Sequence, residues 1–214
     1  MKKIIALGLA ILLLLALGVG GAFAADQIPS AKAAFVSDDV FTVSSGKMGS
    51  PWFTVLETQI KTGTPKDLVM DVSAECSLIT SAKLVGDVPA EAAATILVRV
   101  VIDPGTDNEQ YASPGGEEGI TFANRVLKVS GNLTHTTNDP LLVIDDHWIE
   151  VYIMTKAAHA FNFCAEDVGS GVHTVRVEAK LTKVELGHKG EANAYIGNIS
   201  MVVDEVMLKR VFVD

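Results

Sequence analysis

Lys66-Asp67-Leu68-Val69-Met70-Asp71-Val72-Ser73-Ala74-Glu75-Cys76-Ser77-Leu78 changes character residue by residue. Leu68, Met70, Val72, Ala74, Cys76 and Leu78 share one parity, and Asp67, Val69, Asp71, Ser73, Glu75 and Ser77 share the other. Successive side chains of a strand point to opposite faces, so this stretch has one dry face and one mostly wet face. Wound as a helix, it would set Asp71 and Glu75 beside Leu68 and Leu78 and leave no apolar stripe to bury. The segment reads as a strand with one face in a core.

The pattern recurs downstream. Ala94, Ile96, Val98, Val100 and Ile102 alternate with Thr95, Leu97, Arg99 and Val101, until Asp103-Pro104-Gly105 stops the strand. A polar loop runs on to Glu118 and contains Pro114-Gly115-Gly116, a composition that predicts a mobile segment. Further strands are expected at 41–44, 52–61, 120–129, 148–155, 160–165, 172–186 and 194–213. The last two are long enough to bend or to hold two strands each. Only Pro89–Ala94 suggests a helical turn. Roughly eight to ten strands, punctuated by Gly, Pro, Asn and Asp, predict an all-β fold: an antiparallel β-sandwich, jelly-roll-like. The helices that a parallel sheet would require are missing from the pattern. No repeat or Pro/Ser-rich linker divides the chain, so residues 34–214 are expected to form a single β-sandwich domain behind a flexible leader at 25–33.

The first residues read as a targeting segment. Lys2 and Lys3 precede an uncharged apolar run from Ile4 to Val19, then Gly20-Gly21-Ala22-Phe23-Ala24. Small residues occupy the −3 and −1 positions of a cut after Ala24, the pattern of a cleavable signal-peptide helix at 1–24. A retained anchor is the competing reading. It needs about 20 apolar residues, and here glycines and alanines break the run where a peptidase requires them. No cysteine sits at the cut for a lipid thioether, and neither a second long apolar run nor a C-terminal hydrophobic tail follows. The mature chain is expected to be exported (secreted, periplasmic or at the cell surface) and not to span a membrane. Cleavage removes two lysines and no acid, so the net charge of −9 becomes −11. With no Lys/Arg cluster, that charge excludes nucleic acid as an expected partner, and solubility is its simplest role.

Four stretches in this order resemble a group of uncharacterised secreted β-sandwich proteins. They are Lys66–Leu78; Ile120-Thr121-Phe122-Ala123-Asn124-Arg125; Ala160-Phe161-Asn162-Phe163 through Gly169-Ser170-Gly171-Val172-His173-Thr174-Val175; and Ala194-Tyr195-Ile196-Gly197-Asn198 through Val202-Val203-Asp204-Glu205-Val206. The resemblance is one of pattern and covers most of the mature chain. It implies a jelly-roll-like sandwich and brings no activity with it, so no residue acquires a role from it. Each stretch also reads plainly as strand, turn and strand, with Gly169 and Gly171 in a turn.

Cys76 and Cys164 are the two cysteines of the chain. In an exported protein a pair predicts a disulfide. Closing a loop of nearly ninety residues would stabilise the fold by roughly 4–5 kcal/mol. Parity opposes the bond: Cys76 lies on a dry face, whereas Cys164 alternates against Phe161 and Phe163. A bulge or an edge position at Cys164 would reconcile them; two free thiols are the alternative.

Asp103, Asp107 and Glu109 are weak metal candidates, offering oxygen ligands at close spacing to calcium without the spaced acids of an EF-hand. An acidic loop that binds nothing is the default. Asp145-Asp146-His147 with Glu150 could hold a metal or exchange protons, but a turn feeding a strand accounts for it as well. His135, His159, His173 and His188 show no zinc spacing, and His173 falls on the core parity of its strand. There is no Gly-x-Ser-x-Gly elbow, phosphate loop or cofactor motif, and no catalytic residue is assigned.

Trp52, Trp148 and the tyrosines could form a sugar-stacking platform. If Ile149, Val151 and Ile153 face the core, then Trp148, Glu150, Tyr152 and Met154 point out, and Trp148 with Tyr152 becomes a ligand or subunit face. A strand buried on both faces is the competing reading. Asn132-Leu133-Thr134 and Asn198-Ile199-Ser200 match the N-glycosylation pattern. The expected function is a non-catalytic, exported β-sandwich with a structural or assembly role, as a homo-oligomer. The alternatives are a carbohydrate- or ligand-binding module that holds a glycan, and a hydrolase.

Overall fold

The alternation read at 66–78 belongs to a strand twice that long. The computed structural model describes residues 33–41, 51–85, 89–131, 148–186 and 190–208. They form β1 (Ala33–Phe41), β2 (Phe53–Thr62), β3 (Lys66–Val85), β4 (Ala90–Ile102), β5 (Gln110–Tyr111), β6 (Ile120–Val129), β7 (Trp148–Val168), β8 (Gly171–Leu186) and β9 (Gly190–Val206). Among the described residues one 3-10 turn, Gly116–Glu118, interrupts the strands. The targeting segment 1–24 and leader residues up to 32 lie outside the described residues, as do Asp145, Asp146, His147, Asn132, His135 and His188. None of the described helices is long and apolar enough to cross a membrane.

Two antiparallel sheets pack face to face. One runs β1-β9-β3-β7; the other runs β2-β8-β4, with β6 and the short β5 sharing the far edge of β4. The pairings nest: β1 with β9, β2 with β8, β3 with β7, β4 with β6. A long antiparallel ribbon wrapped on itself gives this order, which is the jelly roll. The core lies between the sheets, with Leu68, Met70, Val72, Ala74, Cys76 and Leu78 of β3 facing Ile96, Val98, Val100 and Ile102 of β4 and Val175, Val177, Ala179 and Leu181 of β8.

Several elements differ from the sequence expectation. Residues 90–94 are strand, not a helical turn, because β4 is hydrogen-bonded on both sides, to β8 and β6, and Ala90, Ala92 and Ala94 are buried. The strands expected at 148–155 and 160–165 are one, since β3 pairs with β7 in unbroken register from Val69↔Cys164 to Val85↔Trp148. β8 and β9 are single strands. The leader was expected to reach residue 33 and a strand to begin at 41; β1 instead starts at Ala33, paired with Asp204. In β9 the buried parity switches from Ala192, Ala194 and Ile196 to Ile199, Met201 and Val203. A register shift opposite Ser73–Glu75 and Asn198 at φ 45° mark the bulge that makes the switch. Asn tolerates that left-handed backbone better than most residues.

The 103–118 loop is tied down rather than loose. Ser113 and Cys164 exchange two backbone hydrogen bonds of 2.7 Å, which stitches the loop to the edge of β7. Arg99, between the rings of Trp52 (4.3 Å) and Tyr111 (4.9 Å), donates to Glu178 and to the Glu117 carbonyl. Gly119, at φ 71°, passes so close to Trp52 and the Val98 carbonyl that a Cβ would lie 2.7 Å from each.

Candidate functional site

β7 closes one sheet and is its longest strand, at 21 residues. Its register with β3 assigns its faces. Ile149, Val151, Ile153, Thr155, Ala157, His159, Phe161 and Phe163 lie opposite Leu84, Ala82, Thr80, Leu78, Cys76, Ala74, Val72 and Met70, the inward side. Trp148, Glu150, Tyr152, Met154 and Lys156 lie on the outward side. Both sides are open along the first two thirds of the strand. Trp148 is 50% exposed and Tyr152 63%, and on the inward side Phe161 is 42% exposed while Phe163 is 1%. The apolar triplet does face inward and the Trp-Tyr-Met stripe does face out, but the strand is buried on neither face before Phe163.

The cause is a gap between the sheets at β6 and β7. Across its mouth Phe122 meets His159 at 5.9 Å, and Arg125 donates to Thr155 Oγ1. Behind them is a cavity of about 170 Å³ lined by Cys76, Leu78, Ala123, Asn124, Thr155, Ala157 and His159.

Among the described residues the backbone edge of β7 is open as well. Cys164 turns its N–H and C=O away from β3, toward Ser113. The unbroken register carries that orientation to every even-numbered residue from Asn162 back to Trp148, and no described strand pairs with them. Edges are normally blunted by proline, bulges or charge. Between Trp148 and Asn162 there is no proline and no bulge, and the carboxylate and ammonium groups are Glu150 and Lys156 alone. Glu150 accepts from Ser81, and Lys156 pairs with Glu75 at 2.9 Å. Lys156 and Asn198 together hold the Glu75 carboxyl below its usual range.

At the end of the sandwich lies a second cavity, of about 340 Å³, lined by Asp103, Asn108, Gln110, Asp167, Ser170 and His173 among others. His173 Nδ1 meets Asp103 Oδ2 at 2.7 Å, and Nε2 meets the Gly169 carbonyl at 2.9 Å. An oriented Asp–His pair is half of a nucleophile-activating triad. Here the second ring nitrogen faces an acceptor within the fold, so none is left to take a proton from a nucleophile. Asp103 Oδ1 also accepts the Thr174 N–H at 2.8 Å, and Thr62 donates to the Gly169 carbonyl at 2.6 Å. The cluster fastens the loop to β8.

These bonds also account for the calcium candidates. Asp103 serves His173 and Thr174, while Glu109 accepts from Gly105 N–H and Tyr111 O–H, which lowers the pKa of its carboxyl. Asp107 does not join them: among the described residues no three acids, histidines or cysteines converge on one point. Trp52 lies on the other outer face, over Arg99 and Lys180, and Trp148 stacks with Lys83 at 4.2 Å. The two tryptophans therefore form no joint platform. Asn198 of the described sequon donates to Glu75 on the sheet surface.

The expected Cys76–Cys164 disulfide is not formed; both thiols are free. Cys76 pairs with Ala157, and Cys164 with Val69, seven register positions away. At 3.4 Å per residue that is roughly 24 Å, far beyond disulfide reach. The two also point to opposite faces. Burial pushes the Cys76 thiol up to about 12, which leaves a thiolate fraction of about 10⁻⁴ at pH 8. Titration of the native protein with an aromatic disulfide reagent at pH 8 is expected to modify Cys164 and spare Cys76 until denaturant is added.

No family model matches the chain, and no curated protein matches it. Solved structures do: the infectious bursal disease virus Gx strain (15% identity, TM-score 0.30, 80% of this chain and 31% of that chain) and Gt strain (16%, 0.29, 85% and 35%). The VP2 subviral particle of infectious bursal disease virus also matches (12%, 0.29, 81% and 33%). The chain spans about a third of the length of these proteins.

Proposed function

We propose that this protein is an exported, non-catalytic structural β-sandwich that assembles with other protein through the open edge of β7. The observation that carries this reading is the edge itself: a long strand whose outer backbone groups no described strand pairs, with apolar side chains on both faces and neither proline nor bulge. The charge, apolar run and small residues of 1–24 support export, and His173, whose two ring nitrogens are both engaged within the fold, supports the non-catalytic reading. Residues 25–214 are expected to self-associate with rising concentration in size exclusion with light scattering. A monomer at every concentration would remove the assembly role. A glycan reading keeps one supporting observation, the exposed Trp148 and Tyr152 on one face. It predicts glycan-array binding that Trp148→Ala abolishes.

A further inference from the structure

The edge of β7 also carries information about its own partner. We infer that β7 pairs antiparallel with β7 of a second copy of this chain, about a twofold axis at Ile153. This rests on the assembly reading above and specifies its partner and register.

Three observations converge on that register. First, Ser113 covers the edge at Cys164, so the pairing must lie before it. Second, even-numbered residues present their N–H and C=O groups outward, so they form the hydrogen-bonded pairs across an antiparallel seam. Third, the stretch has one carboxylate, Glu150, and one ammonium group, Lys156, both on the outward face. An isologous pairing repeats each contact twice. Only a centre at residue 153 sets Glu150 opposite the partner's Lys156, and it does so on both sides of the axis.

The remaining pairs follow without adjustment. Tyr152 meets the partner's Met154, and Trp148 the partner's Ala158, in hydrogen-bonded pairs. Ile153 meets its own copy, Val151 the partner's Thr155, and Ile149 the partner's Ala157, in the closer non-hydrogen-bonded pairs. Residues 148–158 suffice. The two four-stranded sheets become one continuous sheet, and the exposed inward residues of both copies become a single apolar strip.

The test uses residues 25–214 with Cys76→Ala and Cys164→Ser, so that an introduced thiol has no intrachain partner, Cys76 lying directly opposite Ala157. Ile153→Cys in that background is expected to form a disulfide-linked dimer under mild oxidation, since a self-pair at the axis brings the two β-carbons within bonding range. Ala157→Cys, whose copies lie eight positions apart in this register, is expected to stay monomeric on a non-reducing gel. Glu150→Lys is expected to weaken dimerisation roughly ten-fold by opposing like charges twice, and adding Lys156→Glu to restore it. Circular dichroism melts report whether each variant is folded. A dimer in light scattering that crosslinks at Ala157 and not at Ile153, or that ignores the charge swap, overturns the register while leaving the assembly reading intact. A folded chain that stays monomeric overturns both.

Discussion

Phe163→Ala is expected to cost about 3–5 kcal/mol of unfolding free energy, and Phe161→Ala about 1 kcal/mol. The two phenylalanines are two residues apart on the same face of β7, with rings 5.6 Å apart and tilted by 55°. Their surroundings differ. Phe163 is opposite Met70, fully enclosed between the sheets; truncating it opens a cavity that a close-packed interior cannot collapse into. Phe161 is opposite Val72 and 42% exposed, so truncation loses the ring contact and part of a burial that was incomplete. Guanidinium unfolding of both variants measures the difference, and for a domain of this size the larger loss lowers Tm by roughly 10 °C. Equal costs would mean that the inward face of β7 is covered as far as its start, and the open edge would lose its physical basis.

The same contrast shows what could be read from the chain. The alternation at 66–78 identified β3 because one of its faces is core and the other is solvent, and the turn signal at Asp103-Pro104-Gly105 ended β4 where hydrophobicity alone would not. Residues 155–160 gave no comparable signal. Thr-Lys-Ala-Ala-His-Ala has weak strand preference and no dry face, because the face it turns inward is half open. Its strand structure comes from β3, whose hydrogen bonds run alongside it without a break. Ala90–Ala94 misled in the opposite direction. Alanine favours helix, but these alanines are buried in a strand that is hydrogen-bonded on both sides. In both places tertiary pairing outweighs local preference.

The candidate site divides along the same line. Parity on β7 was enough to put Trp148, Tyr152 and Met154 on one side and Ile149, Val151 and Ile153 on the other. Whether either side was covered depends on where β6 comes to rest, which is a property of two sheets and not of a periodic pattern. The disulfide expectation failed for a related reason. Two cysteines in an exported chain are suggestive, but only the pairing of β3 with β7 shows them seven positions out of register.

Asp103 offers a carboxylate that calcium could use, but the structure gives it a different task with a large measurable consequence. Asp103→Ala is expected to cost about 3 kcal/mol and Asp103→Asn about 1 kcal/mol in the same unfolding experiment. The carboxylate receives His173 on one oxygen and the Thr174 N–H on the other, and both its side chain and that of His173 are mostly buried. Alanine leaves two donors unsatisfied and places a Cβ residue without a polar side chain at φ 51°, a backbone region that Asn and Asp tolerate. Asparagine keeps that backbone and an acceptor for Thr174, and loses the charge and the second acceptor oxygen beside the imidazole. The order Ala well below Asn, both below the parent, is what a structural tie predicts. A carboxylate held ready for chemistry in the adjoining 340 Å³ cavity would behave otherwise, because functional groups commonly cost stability where they stand and their removal tends to stabilise. A gain in stability on Asp103→Ala would therefore reopen the cavity as a reaction site, and a loss of the expected size assigns the Asp103–His173 pair to holding the loop that covers the far end of β7.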